Sequence, residues 1–201
     1  MYAPNGDETL YITELLFGNQ DSQISFLFLN LDGTRPVYHK KKIILFSEIQ
    51  EAEMALHYAD CGAEILSTIP DKIANEVNFA QAIEDLKKVV EKTEDTIRNS
   101  GNFLDCLQFL MDIYFDILDE KADIPPSNPS ATKQLKTPVS PAEIPDRFYR
   151  ILFCASQFFM FDTEVTLFTQ ETGYEPEDLF SAFKYALGDL MTHAWFLKKM
   201  D

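Results

Sequence analysis

The chain has 201 residues and a formal net charge of −16, with 33 Asp and Glu residues against 17 Lys and Arg. Residues 48–122 alone contain 17 acidic and 6 basic residues, so they carry 11 of the 16 net negative charges. A field of that sign repels nucleic-acid phosphates and anionic lipids and attracts basic protein surfaces. We therefore expect a basic protein partner, or a second copy of the chain, and no direct binding to nucleic acid or membranes.

The cysteines and the apolar runs indicate a cytoplasmic protein. Cys61, Cys106 and Cys154 are an odd and widely spaced set, which favours buried, reduced thiols over a disulfide framework or a zinc module. No apolar run approaches the roughly 20 residues of a membrane span, and the first residues do not resemble a secretory signal. We predict a soluble protein without metal or cofactor.

The first predicted elements are strands. Short runs rich in Ile, Leu, Phe and Tyr occupy residues 10–17, 23–31 and 37–46. Asp32-Gly33 between the second and third runs predicts a tight hairpin, because Gly accepts the positive φ that such a turn requires. We expect an N-terminal antiparallel β-meander of about three strands.

From residue 47 the apolar spacing changes to that of a helix. Ser47 and Gln50 have the spacing of a capping box for a helix that ends by Pro70. A second helix is predicted over residues 71–99 and a third over residues 103–120. Residues 123–145 then hold six of the ten prolines, which is typical of a linker.

The last 56 residues, 146–201, contain 13 of the 26 aromatic residues. Helices are predicted over residues 146–161, 163–171 and 175–199. A lobe of this size cannot bury so many rings alone, so we expect it to dock on the first 122 residues, on a second copy or on a partner. The predicted architecture is α+β: a domain over 1–122 with its sheet at 10–46 and its helices at 48–120, the linker, and an aromatic-rich helical lobe.

Signatures of common catalytic sites are missing from the sequence. No two of the seven glycines are closer than 12 residues, which excludes a dinucleotide-binding turn and a P-loop. Glu53, His57 and Cys61 follow each other at steps of four, but ligands in a row along one helix are about 6 Å apart and do not surround one ion. His39 and His193 have no evident catalytic partners.

Two charged clusters remain. Asp105, Asp112, Asp116 and Asp119 are spaced to form one acidic stripe on the third predicted helix, suited to solvation or to a basic partner. The basic cluster of Arg35, His39 and Lys40 to Lys42 lies in the third predicted strand. Lysines there discourage pairing between sheet edges, and contact with a phosphate, an RNA backbone or the acidic block of a second copy is the alternative.

We interpret the chain as a non-enzymatic, acidic protein-interaction or regulatory protein that binds a protein partner through its helical surface. Two alternatives stay open: an acidic mimic of nucleic acid that inhibits a basic nucleic-acid-binding protein, and an enzyme with an unfamiliar carboxylate and histidine site. The predicted partner-binding residues are Asp105, Asp112, Asp116, Asp119, Phe180, Leu187, Met191 and Trp195.

Overall fold

A computed structural model of the chain describes residues 9–18, 22–31, 35–60, 69–98, 100–118 and 141–197. These residues belong to two compact units. Unit 1 comprises Met1–Gln81 with Met191–Asp201, and unit 2 comprises Ala82–Leu190. Unit 1 contains two β-sheets and unit 2 is helical. The predicted α+β class is therefore confirmed.

The first sheet of unit 1 has the strand order β3-β2-β1-β6. Its strands are β1 (Leu10–Phe17), β2 (Ile24–Leu31), β3 (Arg35–Pro36) and β6 (Ile73–Asn78). The predicted antiparallel start is confirmed, because β1 pairs with β2 from Leu10 opposite Leu31 to Phe17 opposite Ile24. Gly18, directly after β1, has φ +100°, a backbone conformation that residues other than glycine rarely adopt.

The third predicted strand is divided between two sheets. β3 joins the first sheet, whereas β4 (Tyr38–His39) and β5 (Lys42–Leu45) form a hairpin in a second sheet of order β4-β5-β7. Lys40 and Lys41 form the two-residue turn, with φ 49° and 62°. Hydrogen bonds between Leu27 and Phe46 connect β2 to the end of β5. The predicted Asp32-Gly33 turn lies outside the described residues.

The core of unit 1 lies between the first sheet and a short helix. Leu27 and Leu29 of the first sheet, Ile44 of the second and Ala52 and Ala55 of α1 (Ala52–Tyr58) are buried together. The cap differs from the predicted one. Glu51, and not Ser47 or Gln50, provides the capping side chain. Its carboxylate accepts hydrogen bonds from the backbone N–H groups of Ser47 and Glu48 at 2.8 and 3.0 Å.

The predicted helix over residues 71–99 is wrong in its first part. Ile73–Asn78 is strand β6, parallel to β1, and α2 (Phe79–Val90) begins only after it. Ile73 and Val77 have helical spacing, but pairing with β1 satisfies the backbone of this segment. α2 ends in a Schellman cap, in which the Thr93 N–H donates to the Lys88 carbonyl at 2.9 Å and Lys92 has φ 59°.

Four α-helices follow α2 in the described residues: α3 (Ser100–Ile113), α4 (Arg147–Phe159), α5 (Val165–Thr172) and α6 (Pro176–Thr192). A π-helical turn, Tyr114–Leu118, continues α3. The rings of Phe103, Phe159, Phe168 and Phe183 are fully buried and contact one another in the core of unit 2. α3 packs against α4. The predicted linker lies outside the described residues up to residue 140, so the predicted domain limits stay a prediction.

The last predicted helix extends too far. α6 ends at Thr192, and Ala194–Phe196 forms strand β7, parallel to β5. The Ile43 N–H donates to the His193 carbonyl at 3.0 Å, and the Leu197 N–H donates to the Leu45 carbonyl at 2.8 Å. This pairing replaces the helical hydrogen bonds that the apolar spacing predicted, and it places Trp195 in a strand.

Candidate partner-binding groove

Unit 2 contains an open groove of about 720 Å³ beside α5. Three parts of the chain surround it: the end of α2 together with the segment that follows it, α5, and the start of α6. Its apolar lining residues are Val89, Val90, Val165 and Pro176, of which Val89 and Val165 are buried and Val90 and Pro176 are half-buried. A volume of this order is typical of a site for a small ligand or for a few side chains of a partner.

The wall of the groove depends on contacts between distant segments. The Ile97 N–H donates to the Thr163 carbonyl at 3.0 Å, and the Val165 N–H donates to the Asp95 carbonyl at 2.7 Å. The Asp95 carboxylate also accepts the N–H and the hydroxyl of Thr166. Asp95 therefore serves as the cap of α5, whose own N-cap residue, Glu164, makes no side-chain capping bond.

The rim of the groove is acidic. Glu94, Asp95, Glu175 and Glu177 line it, against a single lysine, Lys92. Glu94 is partly neutralised by Arg98, whose Nε lies 3.0 Å from its carboxylate, while Glu175 and Glu177 are exposed. A site with apolar lining and an acidic rim is complementary to an apolar side chain flanked by Lys or Arg.

A second, smaller groove of about 470 Å³ lies near the C-terminal ends of α4 and α5. Cys154, Phe158 and Phe161 are among its lining residues. Phe161 is 86% exposed and the adjacent Met160 is 55% exposed. Large apolar side chains so exposed, side by side, are typical of protein contact surfaces.

The cysteines agree only in part with the predicted buried thiols. Cys106 is fully buried and Cys154 is half-buried. Burial raises the pKa of both thiols, and the charge of Asp105 adds to the effect at Cys106. Both therefore favour the neutral, unreactive thiol. Cys61 lies outside the described residues.

A tyrosine and aspartate cluster joins α4 to α6 within unit 2. The Tyr149 hydroxyl donates to Asp189 and the Tyr185 hydroxyl to Asp146, each at 3.4 Å. Burial of Tyr149 and the negative charge of Asp189 raise its pKa. For the exposed Tyr185 the charge of Asp189 is the main cause of a raised pKa. Asp146 also caps α4 by accepting the Phe148 and Tyr149 N–H groups. The cluster positions helices and needs no ligand.

The predicted acidic stripe is only partly described. Asp105 and Asp116 are exposed, Asp112 accepts a hydrogen bond from Gln108 at 2.8 Å, and Asp119 lies outside the described residues. Partial burial raises the pKa of Asp105. The stripe stays a prediction, and none of its described members lines either groove.

The predicted apolar contact residues do not share one environment. On α6, Phe180 is half-buried under the Lys184 ammonium, Leu187 is half-buried, and Met191 is 38% exposed. Trp195 lies in β7, where its ring contacts His39 and Tyr58 of unit 1 at 4.7 and 5.1 Å between centroids. Trp195 is thus a packing residue of unit 1.

The described residues contain no group of three or more His, Cys, Asp or Glu side chains arranged to hold a metal ion. Glu53 and His57 are exposed on α1, and Cys61, the third member of the row, falls outside the described ranges. His39 directs Nδ1 to the Tyr58 carbonyl at 2.7 Å. Within the part of the chain that the structure describes, no helix is both long and apolar enough to cross a bilayer.

Comparison of the chain with models of protein families, with curated proteins and with solved structures found no match. The sequence analysis did not predict the groove residues. Glu94 and Asp95 belong to the acidic block, which was the available signal, but Glu175 and Glu177 do not. The valines and threonines of the groove carry no sequence pattern that separates them from ordinary helix residues.

Proposed function

We propose that this chain is a protein-interaction protein whose groove in unit 2 binds a basic segment of a protein partner. The observation that supports the proposal most is the combination of an apolar lining with four carboxylates and one lysine at the rim. The bound segment places an apolar side chain against the half-buried Val90 and Pro176, and Lys or Arg residues on either side of it meet the rim.

The charge of the chain supports the same class of partner. Residues 48–122 and the groove rim are both acidic, so a basic segment is attracted before contact and oriented during approach. Surface charge pairs of this kind weaken at high salt, because the Debye length falls from about 10 Å at 0.1 M to about 3 Å at 1 M. The complex is therefore expected to associate more slowly, and bind more weakly, as salt increases.

A defined peptide tests the proposal without knowledge of the natural partner. The probe is a fluorescently labelled peptide with one Leu flanked on each side by two Lys, compared with the same peptide carrying Gln in place of Lys. Binding is measured by fluorescence anisotropy to the full chain. The Lys peptide is expected to bind and the Gln peptide to bind at least about tenfold more weakly.

Two matched variants locate the binding surface. Glu175→Gln with Glu177→Gln removes two exposed charges from the groove rim, and Asp105→Asn with Asp116→Asn removes two exposed charges from the predicted acidic stripe. We expect the first variant to weaken binding several-fold and the second to change it less than about twofold. Equal losses would indicate non-specific attraction and overturn the groove proposal.

The second variant also tests the nucleic-acid-mimic alternative. That alternative includes in its contact surface the exposed Asp105 of α3 and the exposed Asp116 of the π-helical turn. If their substitution abolishes binding and the groove variant leaves it unchanged, the stripe is the partner surface. A third variant, Thr169→Trp, fills the groove without changing charge, and retention of full affinity by it would also contradict the groove proposal.

A further inference from the structure

The β4–β5 hairpin of unit 1 ends in two consecutive lysines with left-handed backbone. Tyr38 pairs with Ile43 and His39 with Lys42, so Lys40 and Lys41 are the two residues of the turn. Their φ angles, 49° and 62°, are both positive, as a type I′ turn requires. This turn strongly favours Asn-Gly, because a side chain at positive φ strains the backbone. Lysine is a poor choice for the turn itself.

The surrounding fold holds the turn without using the lysine side chains. The Lys40 N–H donates to the Asp60 carboxylate at 2.6 Å, and the Asp60 N–H donates to the Tyr38 carbonyl at 2.7 Å. The His39 ring is fixed between the Tyr58 carbonyl and the Trp195 ring. These bonds all involve backbone atoms or neighbouring side chains, so the ammonium groups contribute nothing to the geometry of the turn.

The three ammonium groups of Lys40, Lys41 and Lys42 are exposed. Among the described residues, no carboxylate lies within ion-pair distance of them. The Arg35 side chain, another member of the predicted basic cluster, lies outside the described part. Two of these three adjacent positive charges, Lys40 and Lys41, lie on a turn with strained backbone, in a chain whose net charge is −16. Backbone strain that folding does not require is commonly retained at functional sites.

We propose that this hairpin tip binds a short acidic segment of a protein partner, with two or three carboxylates on Lys40, Lys41 and Lys42. A long polyanion such as nucleic acid, or an anionic membrane, extends beyond the tip and meets the negative field of the rest of the chain. A short segment confines its charge to the three lysines. The tip belongs to unit 1 and the proposed groove to unit 2, so the two proposals stand independently.

Trp195 provides the readout, because it is the single tryptophan and contacts His39 at the base of the hairpin. The probe is hexaglutamate with blocked termini, titrated into the full chain while tryptophan fluorescence is recorded and the affinity is confirmed by calorimetry. Binding is expected at low salt and is expected to be lost between roughly 0.05 and 0.5 M NaCl. Absence of heat and of a fluorescence change at low salt would overturn the proposal.

The decisive variant is Lys40→Asn with Lys41→Gly, which installs the preferred turn and removes two charges. It is expected to unfold at a higher temperature than the unchanged chain while binding hexaglutamate at least about tenfold more weakly. The matched control is Lys72→Gln with Lys87→Gln, which removes two exposed charges elsewhere and is expected to change affinity less than about twofold. A hairpin variant that binds as well as the unchanged chain, or a control that loses as much, contradicts the proposal.

Two further measurements complete the test. Duplex DNA or phosphatidylserine vesicles that bind the tip more tightly than hexaglutamate would overturn the assignment to a protein segment. The groove variant Glu175→Gln with Glu177→Gln is expected to bind hexaglutamate at least as well as the unchanged chain. Loss of hexaglutamate binding in that variant would place the contact elsewhere and contradict the hairpin proposal, whatever the outcome for the basic peptide.

Discussion

The Asp95 carboxylate accepts hydrogen bonds from the backbone N–H of Thr166 at 3.0 Å and from its hydroxyl at 2.6 Å. The two residues are 71 positions apart in the chain. One aspartate thus caps the start of α5 from another segment and holds the wall of the proposed groove. The capping residue of a helix is usually its own N-cap, but here the N-cap residue, Glu164, leaves this role to Asp95.

Substitution of Asp95 by Ala is expected to lower the free energy of unfolding by about 1 kcal/mol, the usual value of a lost helix cap. Asp95→Asn keeps an acceptor oxygen and is expected to lose less. Urea unfolding followed by circular dichroism measures both, with the exposed Glu91→Ala as control for the lost charge. An Asp95→Ala variant as stable as the control would show that the cap contributes nothing.

Gly18→Ala is expected to lower the free energy of unfolding by at least about 2 kcal/mol. The reason is twofold: the backbone has φ +100°, and a Cβ would collide with the backbone carbonyl of Ser22. Gly188, within α6, has open space around a Cβ, so Gly188→Ala is expected to stabilise by up to about 1 kcal/mol. Urea unfolding of both variants tests whether their free energies of unfolding change in opposite directions. A lower free energy of unfolding for both would contradict the prediction.

The same substitution at a lysine within α2 and at a lysine just after it is expected to have opposite effects. Lys92 follows the helix at φ 59°, where glycine relieves strain, so Lys92→Gly is expected to stabilise by about 0.5 kcal/mol. Lys87 is exposed in the last helical turns, and Lys87→Gly is expected to destabilise by about 1 kcal/mol. Thermal unfolding at equal protein concentration distinguishes the two. A destabilised Lys92→Gly would show that its side chain makes a favourable contact.

The tyrosine and aspartate cluster predicts a loss of stability at alkaline pH. Burial and the charge of Asp189 raise the pKa of Tyr149 above its ordinary value of about 10. The folded state therefore favours the neutral phenol, and this contribution is complete below pH 10 and is lost as pH rises above it. The Tyr149→Phe variant lacks the hydrogen bond to Asp189, so its free energy of unfolding is expected to be about 1 kcal/mol lower at pH 7. Above pH 10 its free energy of unfolding is expected to fall less steeply with pH than that of the unchanged chain.

Denaturant unfolding between about pH 8 and 11.5 measures how steeply the free energy of unfolding falls with pH. The buried Cys106 thiol also has a raised pKa and contributes a decline of the same sign, so it must stay present in both chains that are compared. Parallel slopes for the unchanged chain and Tyr149→Phe would show that Tyr149 titrates alike in the folded and unfolded states.

The sequence by itself determined the elements whose signals are local. The antiparallel pair β1 and β2 follows from two apolar runs close in the chain, and α4, α5 and α6 follow from helical apolar spacing with the acidic first turn of α6. Each depends on residues within one turn or one hairpin, so a window of sequence contains nearly all the information that selects it. The α+β class follows from these elements.

The tertiary structure alone decided the strands β6 and β7, the place of Trp195 and the groove. Residues 73–78 and 194–196 have helix-compatible spacing, and they become strands because the free edges of β1 and β5 offer backbone partners far away in the chain. The same applies to Asp95 and Thr166. Pairing across such distances is decided by which backbone groups would otherwise be buried without a hydrogen bond, and that is a property of the whole fold and not of any short segment.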